Sequence, residues 1–284
     1  MKPRSRKLHS PPLTESDTTT MSAGLSARLE RISTDGRYLI VPMDHGVTIG
    51  AVTGLKDLEG TVDGITSGGA DAVLTQKGVA GRVHPHKNGS GYIVHVNGST
   101  VIGPDENDKR MTCSVEEAIR AGADAVSFHI NVGSNYEPKQ IEDFTALTGE
   151  ASRYGIPVLA MAYARGPGIE GDEPEYLGHA VRLAEELGAD VVKTGYSGDA
   201  ESFQHVCEST GLPIVIAGGS RGTDVETVEM VRGAMDAGAA GVSMGRSIFQ
   251  HEDPEAITRA VSAVIHDDMD AEDALVAAGL TVEA

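Results

Sequence analysis

The chain has 284 residues, 42 acidic against 23 basic, a formal charge of −19, 40% hydrophobic residues and two cysteines. Such a length can bury one large core, no apolar run approaches the roughly 18 residues of a membrane span, and two cysteines cannot build a disulfide framework. An acidic surface repels nucleic-acid backbones and anionic lipid, so neither nucleic-acid nor membrane partners are expected, and a cytoplasmic location is.

Residues 1–20 are polar, basic and rich in Pro, Ser and Thr, and lack the apolar core of a signal peptide. They read as a disordered extension, a tag or a misassigned start. Setting aside their four basic and two acidic residues moves the charge to −21. The remaining acids are spread along the chain and lysines number only eight against 15 arginines. Such a surface stays hydrated in concentrated salt, where screening over about 3 Å at 1 M removes its self-repulsion, and it indicates a halophile.

Helix-like sequence begins after Met21. From Arg37, short runs rich in Val, Ile and Ala alternate with amphipathic stretches, the pattern of βαβ units. Strands are predicted at 38–45, 71–77, 92–99, 125–132, 157–164, 191–196, 213–219 and 240–246, with helices between them. A short repeat, GADAV (69–73), GADAV (122–126), GADVV (188–192) and GAAGV (238–242), falls before strands two, four, six and eight. Eight strands in four such quarters predict a (β/α)8 TIM barrel as a single domain over 21–266, with a glycine ending each of these helices. An open doubly wound sheet is the rival, but the first strand ends in MDHG rather than a glycine-rich dinucleotide fingerprint. The acidic tail 267–284 is expected to be only partly ordered.

In such barrels the chemistry sits at the C-terminal ends of the strands. Strand one ends at Asp44, either a general base or a cap for the following turn, and His45 beside it is less diagnostic. The His- and Gly-rich stretch 78–91 reads as a mobile lid. His84 and His86, with His95, suggest a metal site, but no acidic or Cys ligand follows at a supporting spacing and no metal is expected. His95, Asn97 and Ser99 on strand three, and Ser127, His129 and Asn131 on strand four, share the inward parity. They line either a cavity or a satisfied polar layer.

Strand five closes on Tyr163 and Arg165. The phenol can shuttle a proton or simply pack, and the guanidinium suits a phosphate or carboxylate. Lys193 on strand six alternates with Val192, which turns it inward. Enclosure lowers an amine's pKa and makes it a nucleophile towards carbonyls, unless an interior carboxylate pairs with it structurally. The segments 217–220 and 245–247, AGGS and GRS, close strands seven and eight where barrels often bind phosphate on backbone N–H groups, with Arg246 adding charge.

The motifs VPMDHGVTIG, HINVGS, AYARGPG, VVKTGYSGD, AGGS and MGRSIFQ together resemble the archaeal class I aldolase family, and most closely its branch of 2-amino-3,7-dideoxy-D-threo-hept-6-ulosonate synthases, from about Met21 to His266. The resemblance implies a (β/α)8 barrel without cofactor or metal, in which Lys193 forms the Schiff base, Tyr163 donates a proton and Asp44 acts as acid and base. It also implies that Asp44, His45, Gly46, Val47 and Thr48, then Tyr163, Ala164 and Arg165, then Gly218, Gly219, Gly245 and Arg246 hold the phosphorylated substrate. The implied substrates are a phosphorylated keto sugar and an aldehyde acceptor, and the implied assembly is a homo-oligomer. Two departures stand out. Residues 220–223 read Ser-Arg-Gly-Thr where relatives often have Pro-Lys-Thr, and Ala164 replaces a common Pro. A fructose-bisphosphate aldolase, a silent metabolite-binding barrel and a metal-dependent aldolase using His84 and His86 are the competing readings.

Overall fold

The computed structural model describes residues 22–169, 172–219 and 222–281; the extension predicted over 1–20, and Ser220 and Arg221 of the seventh strand's loop, lie outside them. Eight parallel strands close a barrel: β1 (Tyr38–Pro42), β2 (Ala72–Gln76), β3 (Gly91–His95), β4 (Ala125–Val132), β5 (Val158–Ala164), β6 (Val191–Thr194), β7 (Ile214–Ala217) and β8 (Gly241–Ser243). Each strand pairs with its neighbours in sequence, and the ring closes with Tyr38 of β1 opposite Gly241 of β8.

Strand alternation divides the apolar residues into two layers. Ile40, Leu74, Ile93, Leu159, Met161, Val191 and Val215 fill the barrel. Leu39, Val41, Val73, Val94, Val126 and Val192 face outward onto helices. The packing helices are α3 (Leu58–Ser67), α5 (Val115–Arg120), α6 (Glu137–Tyr154), α7 (Pro174–Glu186), α8 (Ala200–Cys207), α9 (Asp224–Asp236) and α11 (Pro254–His266), each within a predicted stretch. The short helix α1 (Ala23–Leu29) precedes β1, and Arg28 ties it to the Gly155 carbonyl at the end of α6.

The GADAV repeat has a backbone cause. Gly69, Gly122, Gly188 and Gly238 follow the last turns of α3, α5, α7 and α9 with φ of +100°, +81°, +93° and +103°. That left-handed conformation is cheap only for glycine. The next N–H in each case, that of Ala70, Ala123, Ala189 or Ala239, reaches back to the carbonyl of Ile65, Ala118, Ala184 or Ala234, which closes a Schellman turn and aims the chain into the next strand. In three repeats the following aspartate then caps the preceding strand: Asp71 accepts from Leu39 N, Asp124 from Tyr92 N and Asp190 from Val158 N, at 2.6, 3.0 and 2.8 Å.

Burial pushes the Asp190 carboxyl up to about 6, against the pull of its Val158 N–H bond. With the folded value above the unfolded one, the folded state gains protons between about pH 4 and 6, so Asp190 contributes less stability as pH rises through that window. Asp190→Asn keeps the acceptor without the charge. It is expected to raise the thermal midpoint at pH 7.5, by the equivalent of about 1 kcal/mol, and to lose that advantage in melts at pH 4.

Three segments depart from expectation. The stretch 78–91, predicted as a mobile lid, forms a 3-10 turn (Lys77–Val79), helix α4 (Ala80–Val83) and a second 3-10 turn (His84–His86) on the outside of the barrel. Val83 is fully buried there, and His84 hydrogen-bonds the Ala121 carbonyl at 2.8 Å while its ring meets Tyr92 edge-on. The predicted third strand leaves the barrel after His95, and residues 97–98 instead form a two-residue antiparallel ladder with 110–111. The loop over the barrel mouth is therefore 99–109. The acidic tail forms α12 (Ala271–Ala278), which buries Ala274 and Leu275 and packs against α9 and α11. Its charges mask a short apolar stripe that the overall acidity of the segment hides.

Candidate active site

A cavity of about 520 Å³ opens at the C-terminal end of the barrel. It is lined from nearly every quarter: Asp44 after β1, Lys109 from the mouth loop, His129 from β4, Tyr163 and Arg165 from the end of β5, Lys193 from β6, Gly218 and Gly219 after β7, and Gly245 and Arg246 after β8. Among the described residues, no helix is long and apolar enough to cross a membrane.

Lys193 is 7% exposed and shares the interior with Val191, two residues before it. Among the described residues it forms neither a hydrogen bond nor an ion pair. The reading of Lys193 as half of a structural pair is therefore not supported. Burial pulls its amine down to about 8; Arg165 and Arg246 reinforce the shift and Asp44 opposes it. A substantial neutral fraction near pH 8 is what a carbonyl-directed nucleophile requires.

Asp44 stands at the start of the short helix α2 (His45–Ile49), but its side chain caps no backbone N–H. The turn-cap reading fails, and the carboxylate faces the cavity. Its oxygens lie 3.7 Å from His95 Nε2 and 3.6 Å from His45 Nδ1. Burial alone would raise its pKa, but His95, His45 and Lys193 together hold it below the ordinary value, so it stands as the carboxylate. His95 in turn bonds Ser127 Oγ through Nδ1 at 2.7 Å. The inward polar residues of β3 and β4 thus serve two ends. His95 and Ser127 brace Asp44, while the Asn97 side chain bonds the His129 backbone on both sides at 2.8 and 2.9 Å and Asn131 Oδ1 meets His129 Nε2 at 2.8 Å, its Nδ2 being buried with no partner among the described residues.

Tyr163 lies 9% exposed, with the Arg165 guanidinium 4.5 Å above its ring and the His129 ring 5.1 Å away. Its hydroxyl bonds no described group. Burial keeps the phenol protonated well above its usual range, with the positive charge of Arg165 acting against it, so it is suited to donate a proton rather than to sit as phenolate.

Across the cavity, Arg246 opens α10 (Arg246–Phe249) and donates to the Gly219 carbonyl at 2.9 Å, while its Nε is buried with no partner among the described residues. Gly245 allows the backbone to run against β1, since a Cβ there would fall 2.6 Å from His45 Cε1 and 2.7 Å from the Pro42 carbonyl. Of the predicted binding residues, Thr48 lines the cavity; Gly46 and Val47 belong to α2 without reaching it, and Ala164 takes the outward parity. Among the described residues no group of three or more His, Cys, Asp or Glu side chains could hold a metal ion. His84 lies outside the barrel and His95 inside, which separates the proposed ligands.

Lys109 and Glu106 were not anticipated from sequence. They occur in PDENDKRM, a polar run that reads as a surface turn. Only the scarcity of lysine singles Lys109 out.

Comparison with known proteins extends this picture. Residues 38–251 match the sequence profile of the DeoC/LacD family aldolases. A 2-amino-3,7-dideoxy-D-threo-hept-6-ulosonate synthase of Halobacterium salinarum is 62% identical over 262 residues, 92% of this chain and 99% of that one. A class 1 fructose-bisphosphate aldolase of Halobacterium salinarum is 34% identical, covering 86% of this chain and 96% of its own. Among solved structures, an archaeal fructose-1,6-bisphosphate aldolase, with its catalytic Lys covalently bound to the carbinolamine intermediate of its substrate, superposes with a TM-score of 0.78 at 29% identity, covering 85% of this chain and 99% of that one.

Proposed function

The chain belongs to the DeoC/LacD aldolase family, and from that premise we propose that it is a 2-amino-3,7-dideoxy-D-threo-hept-6-ulosonate synthase, a transaldolase working through a Schiff base on Lys193. The observation that carries the reading is one buried, partly neutral lysine facing a proton-donating phenol and a carboxylate across a single cavity. The wide gap between 62% identity to the synthase and 34% to the fructose-bisphosphate aldolase favours this activity over the latter.

In this reading the Lys193 amine adds to a keto group of the phosphorylated 6-deoxy-5-ketohexose. Tyr163 gives its proton to the developing alkoxide, and loss of water leaves an iminium. Asp44 withdraws a proton from the hydroxyl two carbons from the iminium carbon. The C–C bond breaks, its electron pair enters the iminium to give an enamine on Lys193, and a three-carbon phosphorylated aldehyde departs. The enamine carbon then attacks the aldehyde of L-aspartate semialdehyde, the proton held by Asp44 passes by way of Tyr163 to the new alkoxide, and water releases the amino keto acid from Lys193 with a proton that restores the Tyr163 phenol. Gly218, Gly219, Gly245 and Arg246 offer the donor phosphate backbone N–H groups and one guanidinium. The product opens a route towards aromatic amino acids.

The test is an assay of purified protein in molar KCl on both substrate pairs. Transfer to aspartate semialdehyde supports the synthase; cleavage of fructose 1,6-bisphosphate without it overturns the reading. The acidic, lysine-poor surface fits a salty cytoplasm, like that of the halophile whose synthase it matches. The thermal midpoint is therefore expected to rise by several degrees between 0.2 and 2 M KCl, as screening removes self-repulsion; a flat dependence would argue for an ordinary acidic enzyme.

A further inference from the structure

Among the described residues, four Lys and Arg side chains line the cavity, Lys109, Arg165, Lys193 and Arg246, with the carboxylates of Asp44, Glu106 and Asp172 among them. Arg246, with the glycines of the β7 and β8 ends, forms one pole. A second pole lies on the opposite wall: Arg165 at the end of β5 and Lys109 from the mouth loop. Lys109 is 8% exposed, and its Nζ donates to Ser99 Oγ at 2.8 Å. Arg165, Glu106 and Asp44 act on its charge, and it acts in turn on His129 and His95, whereas Lys193 and Tyr163 each feel both Arg165 and Arg246.

The mouth loop that carries Lys109 is built rather than slack. Its base is the 97–98 and 110–111 ladder. Gln140 of α6 is fully buried and bridges it to the barrel, donating to the Asn107 carbonyl at 2.6 Å and accepting from Asn131 N at 2.7 Å. Val101 N bonds the Thr48 carbonyl, which ties the tip to α2. Holding a lysine nearly dry beside an arginine costs free energy that an arriving anion recovers.

We propose that Lys109, together with Arg165, receives the carboxylate of the amino-acid aldehyde acceptor, and that Glu106 receives its ammonium. The assignment rests on the synthase reading above. Tyr163 must protonate the alkoxide formed from the acceptor's aldehyde, so it marks where that oxygen lies. The carboxylate is three bonds from the aldehyde carbon, the cation stacked on the phenol ring is Arg165, at 4.5 Å, and Lys109 lies within electrostatic reach of Arg165 on the same cavity wall. Glu106, exposed beside Lys109 at the cavity mouth, supplies the complementary charge for a zwitterion.

Steady-state kinetics of Lys109→Met in molar KCl test this. The KM for aspartate semialdehyde is expected to rise about 30- to 100-fold, as when one partner of a desolvated charge-assisted bond is removed. The amount of donor trapped on Lys193 by borohydride at a fixed ketose phosphate concentration should stay within about threefold of wild type, and Lys109→Arg should restore most of the acceptor affinity. Glu106→Gln, at an exposed position that folding tolerates, should raise the same KM about three- to tenfold. An unchanged acceptor KM in both variants overturns the assignment, as does an equal loss of donor trapping, which would make Lys109 a donor residue. A wild-type protein that traps no donor on Lys193 removes the synthase reading and this one together.

Discussion

Lys193→Met is expected to lower turnover by at least about 10⁴-fold while leaving the fold intact, because in the proposed mechanism the Lys193 amine opens the covalent path. The substitution also removes an enclosed, unpaired amine from the barrel. Its thermal midpoint should therefore match or exceed wild type, an outcome that separates loss of chemistry from loss of structure. The wild-type pH profile carries the same information. Only the neutral amine attacks, and the amine is drawn down to about 8, so kcat/KM for the ketose phosphate should rise about tenfold per pH unit below that value and level above it. Asp44 is the group that holds the amine up, so Asp44→Asn should move the midpoint lower as well as slow the reaction.

Tyr163→Phe is expected to reduce kcat by about 10² to 10³-fold with little change in thermal midpoint, the range set by loss of one positioned proton donor. The ring keeps its contacts with Arg165 and His129, and the hydroxyl has no described partner to lose. Because burial holds the phenol protonated far above neutrality, the wild-type rate should show no loss from phenol ionisation up to pH 9. Donor should still condense with Lys193 in the variant, only slowly. A variant with wild-type kcat would mean that another group delivers the proton.

Much of this architecture is legible in the sequence because local rules decide it. The GADAV repeat announces four identical helix-to-strand turns, and each needs its glycine for a left-handed backbone. Strand parity puts Lys193, Tyr163 and Asp44 inward, and the barrel carries them to one mouth. What stays hidden depends on contacts between distant segments. The stretch 78–91 looks like a lid from its Gly and His content, yet Val83 and His84 find partners on the barrel wall near Tyr92 and Ala121. The actual mouth loop, 99–109, reads as an ordinary polar turn, because the burial of Lys109 follows from Gln140 anchoring Asn107, a bridge between residues 33 apart. His95 likewise gains its meaning only when β3 lies beside β4 and its two nitrogens meet Asp44 and Ser127.

The most direct test is to incubate the wild-type protein with the 6-deoxy-5-ketohexose phosphate in molar KCl, reduce with borohydride and map the modified peptide by mass spectrometry. The expected result is one stable adduct on Lys193, lost when aspartate semialdehyde is added before the reductant because the enamine has been transferred. No adduct, or an adduct on a different lysine, would contradict covalent catalysis at this site.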